Sequence, residues 1–359
     1  MTFENADWET ARLLAPHLLV AATHTANRHN RHLAEAVDHI SQSFTEAGDY
    51  GSALQLQQAA HAITVASLDP DHLEALTSWN NLAEAFDLFG RHQEAADHHR
   101  QILTARERVL GADHPDTLLS RSNLANALDH LGRHQEAADH HRQILTARER
   151  VLGADHLATL HSRNNLGLAL GYHQEAADLH RQALSGYEGV LGADHPDALN
   201  SRNNLALALD DLGRHGEAAD LHQQVLSDYG RVLGADHPAT LHSRDNLGLA
   251  LDHLGRHGEA ADLHRQVLSG YERILGPDHP SALTSRSNLG LALDHLGRHQ
   301  EAADLHQSVL TTRERVLGPR HPHTLQSRDN LAAALRRWAR AGSVTGPGRR
   351  RWFRGPRHG

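Results

Sequence analysis

Cysteine is absent from all 359 residues, and none of the 35 cationic side chains is lysine; every one is arginine. The first absence excludes disulfides, thiolate zinc sites, iron–sulfur clusters and thiol nucleophiles. The second excludes a Walker-type phosphate loop, which needs a lysine at the phosphates, and any Schiff-base lysine. Aromatic residues make up only 4% of the chain, too few for one large centred core. The apolar share falls instead to Ala and Leu, both strong helix formers. Long apolar runs are missing as well. The stretch Leu13 to Ala22 is well short of the roughly 20 residues a membrane helix needs. Acidic Glu4, Asp7 and Glu9 precede it, where a secretory signal carries positive charge. These features predict a cytoplasmic protein with no membrane span. The arginine-only, Ala- and Gly-rich usage predicts a bacterial origin.

What is present is repetition. The string LGADHP or a close variant begins at Leu110, Leu152, Leu191, Leu233, Leu275 and Leu317, with spacings of 42, 39, 42, 42 and 42. A fixed period of this size is the mark of a repeat architecture. Residues 110–151 show the physics of one unit. Asp113-His114-Pro115-Asp116 reads as a helix start, with a capping acid and proline in the first turn. Leu118, Leu124, Ala125, Leu128 and Leu131 then fall on one helical stripe, and Gly132 reads as the stop. A second helix begins near His134, with Ala137, His141, Ile144, Arg148 and Val151 on its stripe, and Gly153 ends it. Stripes this narrow make no core alone, so each hairpin is stable only when stacked on its neighbours.

Asn123-Leu124-Ala125, Leu128, Gly132 and Ala137 resemble the small-and-large signature of the tetratricopeptide repeat. Ala137 recurs as Ala53, Ala95, Ala176, Ala218, Ala260 and Ala302, and Ala125 recurs as Ala83, Gly167, Ala206, Gly248 and Gly290. These are small residues expected where two helices approach closely. Trp79 stands where that family often has Trp, and the 42-residue period with L-G-x-D-H-P joints resembles the kinesin-light-chain-like branch. The resemblance implies an all-α, right-handed superhelical solenoid of stacked helix hairpins. The expected division is residues 1–25 as an N-terminal helical extension, 26–340 as an array of about seven hairpins plus a capping helix, and 341–359 as a disordered basic tail. Trp8 with Leu13-Leu14-Ala15-Pro16-His17-Leu18 is similar to the segment that joins the ATPase module to the repeats in bacterial NB-ARC-type signalling proteins. The fourth hairpin is three residues short at Leu170-Gly171-Tyr172-His173, which predicts one shortened helix. From Arg336 onward there are eight Arg and no acid.

Histidine is abundant, at 34 residues, and falls into columns. His114, His195, His237 and His279 lie in the joints, while His134, His215, His257 and His299 lie in the turns. Equivalent residues on stacked helices are about 10 Å apart, too far to share an ion, so no metal site and no cofactor is expected. His141 and its equivalents His99, His180, His222, His264 and His306 are expected as flat, semi-buried rings. The Arg121 column, continued by Arg163, Arg202, Arg244, Arg286 and Arg328, falls beside the buried stripe and predicts an ion-pair ladder with acids such as Glu107, Glu149 and Glu188. Its alternative role is to grip a ligand carboxylate.

The opposite face of each first helix carries a complete column, Asn81, Asn123, Asn165, Asn204, Asn246, Asn288 and Asn330. Beside it lie Leu168, Leu207, Leu249 and Leu291, which no core position explains, and one turn on lie Asp210, Asp252 and Asp294. In the kinesin-light-chain-like branch the first helices line the concave surface and the Asn column contacts bound peptide. The resemblance therefore implies a non-catalytic scaffold that binds extended, apolar and basic peptide segments through these residues; catalytic residues are none. The alternative for the Asn column is that it orders neighbouring helices. Two other functions stay open: a regulatory sensor array of a bacterial signalling ATPase or transcription system, and binding of nucleic acid or an anionic surface through the Arg-rich tail.

Overall fold

The computed structural model describes residues 8–25, 30–66, 68–171 and 174–344. Among them are 16 α-helices and no strand. The chain divides into two compact units, Met1–Gly171 and Tyr172–Gly359, and the division falls at the three-residue deletion.

The first unit holds α1 (Trp8–Thr25), α2 (Arg31–Glu46), α3 (Tyr50–Val65), α4 (Leu73–Leu88), α5 (His92–Leu110), α6 (Pro115–His130), α7 (His134–Leu152) and α8 (Leu157–Leu170). The second holds α9 (Gln174–Leu191), α10 (Pro196–Asp211), α11 (His215–Val232), α12 (Pro238–His253), α13 (His257–Leu275), α14 (Pro280–His295), α15 (His299–Leu317) and α16 (Pro322–Val344). Within each unit every helix packs on the next in sequence, and α10, α12, α14 and α16 also touch one another in succession. Helix α1 closes the first unit by placing Ala11 and Ala15 on Val37, Ile40 and Phe44. Helix α8 has 14 residues against 16 in α6, the shortening expected from the deletion. Helix α16 runs to Val344, four residues past the expected end of the array. The remainder of the Arg-rich tail lies outside the described residues.

The joints differ from expectation in one respect. The cap of α6 is His114, whose Nδ1 accepts the Asp116 N–H at 3.2 Å, and Asp113 does not cap. Its carboxylate instead pairs with Arg150 at the end of the following second helix. The same exchange recurs: His237 and His279 cap α12 and α14, and Asp278 binds Arg315 at 2.6 Å. An imidazole with a free nitrogen accepts an N–H as a serine oxygen does. At the other end of α6 the Arg133 N–H reaches the Leu128 carbonyl at 2.9 Å across Gly132, whose φ of 74° closes a Schellman turn.

The hairpin interiors explain the small residues. Ala125 and Ala137 are fully buried beside Leu124 and Leu128. In α12 a Cβ added to Gly248 would lie 2.7 Å from the His264 ring, so the backbone passes directly over that imidazole. The stripe of the second helix departs from expectation at its end. Val151 is 59% exposed, and Arg148 is a tie between hairpins, with Nη1 donating to the Ala158 carbonyl at 3.0 Å and to Ser162 Oγ at 2.8 Å. Arg106 and Arg313, both buried, make the same pair of bonds to Asp116 and Ser120 and to His323 and Ser327.

Candidate peptide-binding face

First helices in a unit lie side by side, and their shared face is stitched by amides. Asn123 Nδ2 donates to Asn80 Oδ1 at 3.1 Å and to Glu84 at 2.6 Å. Asn81 reaches Asp38 at 3.0 Å, Asn246 reaches Asn203 at 3.1 Å, Asn288 reaches Asp245 at 3.0 Å and Asn330 reaches Ser287 at 3.3 Å. Apart from the bond to Glu84, which spans 39 residues, each of these bonds spans 43, so they order neighbouring helices. Asn123 makes two donations and Asn330 Oδ1 accepts from Gln326 at 3.0 Å. An amide offers two donors and two acceptor sites, so the members that make one such bond keep capacity suited to a bound backbone. Asn165 is exposed and Asn204 half-buried. The acceptors Asn80, Asn203, Asp245 and Ser287 stand one residue ahead of each Asn, a place visible in the sequence, although their pairing with the Asn of the next hairpin was not.

Two of the four leucines beside the ladder are exposed and two are half-buried. Leu168 is 55% exposed and Leu207 37%, while Leu249 and Leu291 are half-buried. The aspartates, by contrast, are already engaged. Asp210 accepts from His215 Nδ1 at 2.6 Å and His253 Nδ1 at 2.8 Å, and Asp252 from His257 at 2.6 Å and His295 at 2.8 Å. Asp294, almost fully buried, holds His299 and Arg337. Their charge therefore reaches a ligand less freely than the sequence implied.

On the other flank the arginine column is an ion-pair ladder. Arg121 pairs with Glu107, Arg163 with Glu149 at 2.7 Å, Arg202 with Glu188 at 2.6 Å and Asp228 at 2.7 Å, Arg286 with Glu272, and Arg328 with Glu314 at 2.8 Å. The acid lies 14 residues before each arginine. At Arg244 that position is Gly230, and Arg244 lines an open cleft of about 590 Å³ with Asp236, Asp262, Arg265 and Arg273. The second-helix histidines are more deeply buried than expected. His99, His180 and His222 are pushed down to about 4 by burial, so they are neutral core rings at neutral pH.

The model of the tetratricopeptide repeat matches the chain in seven overlapping segments, 33–108, 90–150, 122–173, 168–230, 221–273, 253–315 and 295–342. The chain belongs to that family. Among curated proteins none matches it by sequence. Among solved structures it is similar to a kinesin-light-chain array of nearly identical TPR-like repeats from Podosopora anserina, at 30% identity over 58% of this chain and 98% of that one, with a TM-score of 0.51. A Rap protein complexed with competence and sporulation factor shares the fold at 13% identity, covering 87% and 89% of the two chains, with a TM-score of 0.53. So does a STAND signal-transduction ATPase with a tetratricopeptide-repeat sensor from Pyrococcus horikoshii, at 13% identity over 85% and 46%, with a TM-score of 0.56. No catalytic family is indicated, and no helix among the described residues is long and apolar enough to cross a membrane.

Proposed function

We propose that the chain is a non-catalytic scaffold that holds an extended segment of a partner polypeptide along its first-helix face, chiefly on α10, α12 and α14. The observation that carries this reading is the exposed leucine register beside the amide ladder, with Leu207 37% exposed one turn from Asn204. Leucines at a fixed register that serve no core are a binding feature rather than scattered surface residues. Leu207, Leu249 and Leu291 take apolar side chains, the Asn amides meet the peptide backbone, and the net charge of -9 favours basic residues between the apolar ones. A sensor array working with a signalling ATPase would use the same face; co-purification of the chain with such an ATPase marks that case.

A phage-displayed library of random peptides tests the reading. Peptides enriched on the full chain are expected to mix apolar and basic residues. They should lose at least tenfold in affinity for the Leu207→Asp, Leu249→Asp double variant with helicity intact, because about 1–3 kcal/mol is lost for each buried anchor. Equal affinity for the folded double variant places the binding surface elsewhere.

A further inference from the structure

Histidines of different columns meet. At the end of α4, Asp87 Oδ1 lies 2.7 Å from Nδ1 of His92, the first residue of α5, and Oδ2 lies 2.9 Å from Nδ1 of His130, the last residue of α6. The two imidazole rings stand 4.9 Å apart. The same triad forms at Asp210, His215 and His253, with rings 5.0 Å apart, and at Asp252, His257 and His295, with rings 4.9 Å apart. In all three groups the carboxylate oxygen and the two ring nitrogens lie within 4.8 Å of one another. The expectation of no metal site rested on column spacing and on the absence of an H-E-x-x-H motif, and this convergence removes the first of those grounds.

We propose that each triad is a binding site for a divalent transition-metal ion of the zinc class. Two imidazole nitrogens and one carboxylate oxygen suit Zn²⁺, Co²⁺, Ni²⁺ or Cu²⁺, whereas Mg²⁺ and Ca²⁺ take oxygen-rich sets. Zinc bonds to such donors run about 2.0–2.2 Å, so the three atoms must draw to within about 3.5 Å of one another, a ring movement of roughly an ångström. The exposed rim leaves room for it: the His130 side chain is 52% exposed while Asp87 is 15% exposed. Three protein ligands leave an outward position for water or for a donor from a partner. Each ion joins the end of one first helix, the start of its second helix and the end of the next first helix, and so clamps successive hairpins.

The chain contains two broken copies that sharpen the reading. Asp129 keeps His134, but the deletion at Leu170–His173 removes the counterpart of His130. Asp294 keeps His299, and the third position is Arg337, whose guanidinium sits on the carboxylate. A permanent cation there takes the charge-balancing role that an ion takes in the complete triads.

The test uses the full chain at pH 7.5, loaded with Zn²⁺ and dialysed for metal analysis, and titrated with Co²⁺ while its visible absorption is followed. Three ions per chain are expected, one for each triad. His130→Gln, His253→Gln and His295→Gln, at half-exposed positions, should each lower the count by one. The triple variant should bind none, and its thermal midpoint should no longer respond to Zn²⁺ or chelator. His114→Asn, a joint residue whose cap asparagine can replace, should leave the count unchanged. Arg337→His should add a fourth ion, a gain that no loss of folding can imitate. Uptake by the triple variant equal to that of the parent chain overturns the proposal, as does a folded parent chain that takes up no ion at about 100 μM Zn²⁺.

Discussion

The two units solve one packing problem in two ways. In the first unit the second helices place arginine at the inter-hairpin position, Arg106 and Arg148, and each guanidinium donates to a carbonyl and a serine of the next hairpin. In the second unit the same register holds Tyr187, Tyr229 and Tyr271, all buried, before arginine returns at Arg313. The serines persist regardless, and Ser243 and Ser285 have buried hydroxyls with no partner. A repeat thus tolerates either a hydrogen-bonded cation or an aromatic plug at its joint, and the leftover serines record the cost of the second choice. A buried hydroxyl without a partner costs about 1–3 kcal/mol.

The largest expected difference between the units is in acid. The first unit holds five histidines with lowered pKa, His61, His98, His99, His140 and His141, each shifted first by burial. Among the described residues the second holds three, His180, His222 and His306. Folded values below the unfolded value near 6.5 mean that unfolding takes up protons. The stability from these groups is complete above about pH 6.5 and is lost as pH falls below it, down to about 4 for His99, His180 and His222, at up to about 1.4 kcal/mol per pH unit for each group. Trp79 Nε1 donates to His98 Nδ1 at 3.0 Å, a bond that protonation of His98 breaks. Hydrogen exchange at pH 7 and pH 5 should therefore show the first unit losing protection before the second. The reverse order breaks the comparison.

The arginine ties come next. Arg106→Ala should destabilise the first unit by about 3–5 kcal/mol, because it empties a buried site and removes the guanidinium's bonds to Ser120, the Asp116 carbonyl and Thr77. Arg106→Tyr, the second unit's own solution, should cost less than half of that in urea unfolding. A smaller effect is expected at the close helix contact, where each unit carries both alanine and glycine: Ala83, Ala125 and Gly167 in the first, Ala206, Gly248 and Gly290 in the second. Gly248→Ala should cost about 1–3 kcal/mol by pressing on the His264 ring, although alanine is the better helix former and the first unit carries Ala83 and Ala125 there. Thermal unfolding checks the sign. The smallest effect is a gain: Gly230→Glu restores the missing acid opposite Arg244 and removes a helical glycine, worth about 1 kcal/mol. Its added Cβ meets nothing within 4 Å.

The period, the helix limits and the three amphipathic registers were legible because each is written within one or two turns of the chain. The amide column and the residue ahead of each Asn were both visible, but their pairing across 43 residues was not, since the choice of donor and acceptor depends on how two helices align. The capping histidine was misread because an acid stood beside it, and only the geometry assigns Asp113 to Arg150, 37 residues on. The aspartate triads were hidden for a related reason. Their members lie five and 43 residues apart, and comparing each histidine only with its own equivalents could not bring them together.

The ties between hairpins span 14, 37 or 43 residues, and that arithmetic bears on how such a chain lengthens. Each 42-residue segment carries one half of every tie at its head and the complementary half at its tail. A segment copied whole therefore arrives with both halves ready and joins the old ends without a single compensating substitution. Helices α5 and α7 have the same nineteen-residue sequence, HQEAADHHRQILTARERVL, as a recent copying event would leave them. Loss of three residues breaks the same arithmetic, and the chain divides into its two units at that point. Growth by whole multiples of the period is free of penalty, and any other change in length leaves a seam.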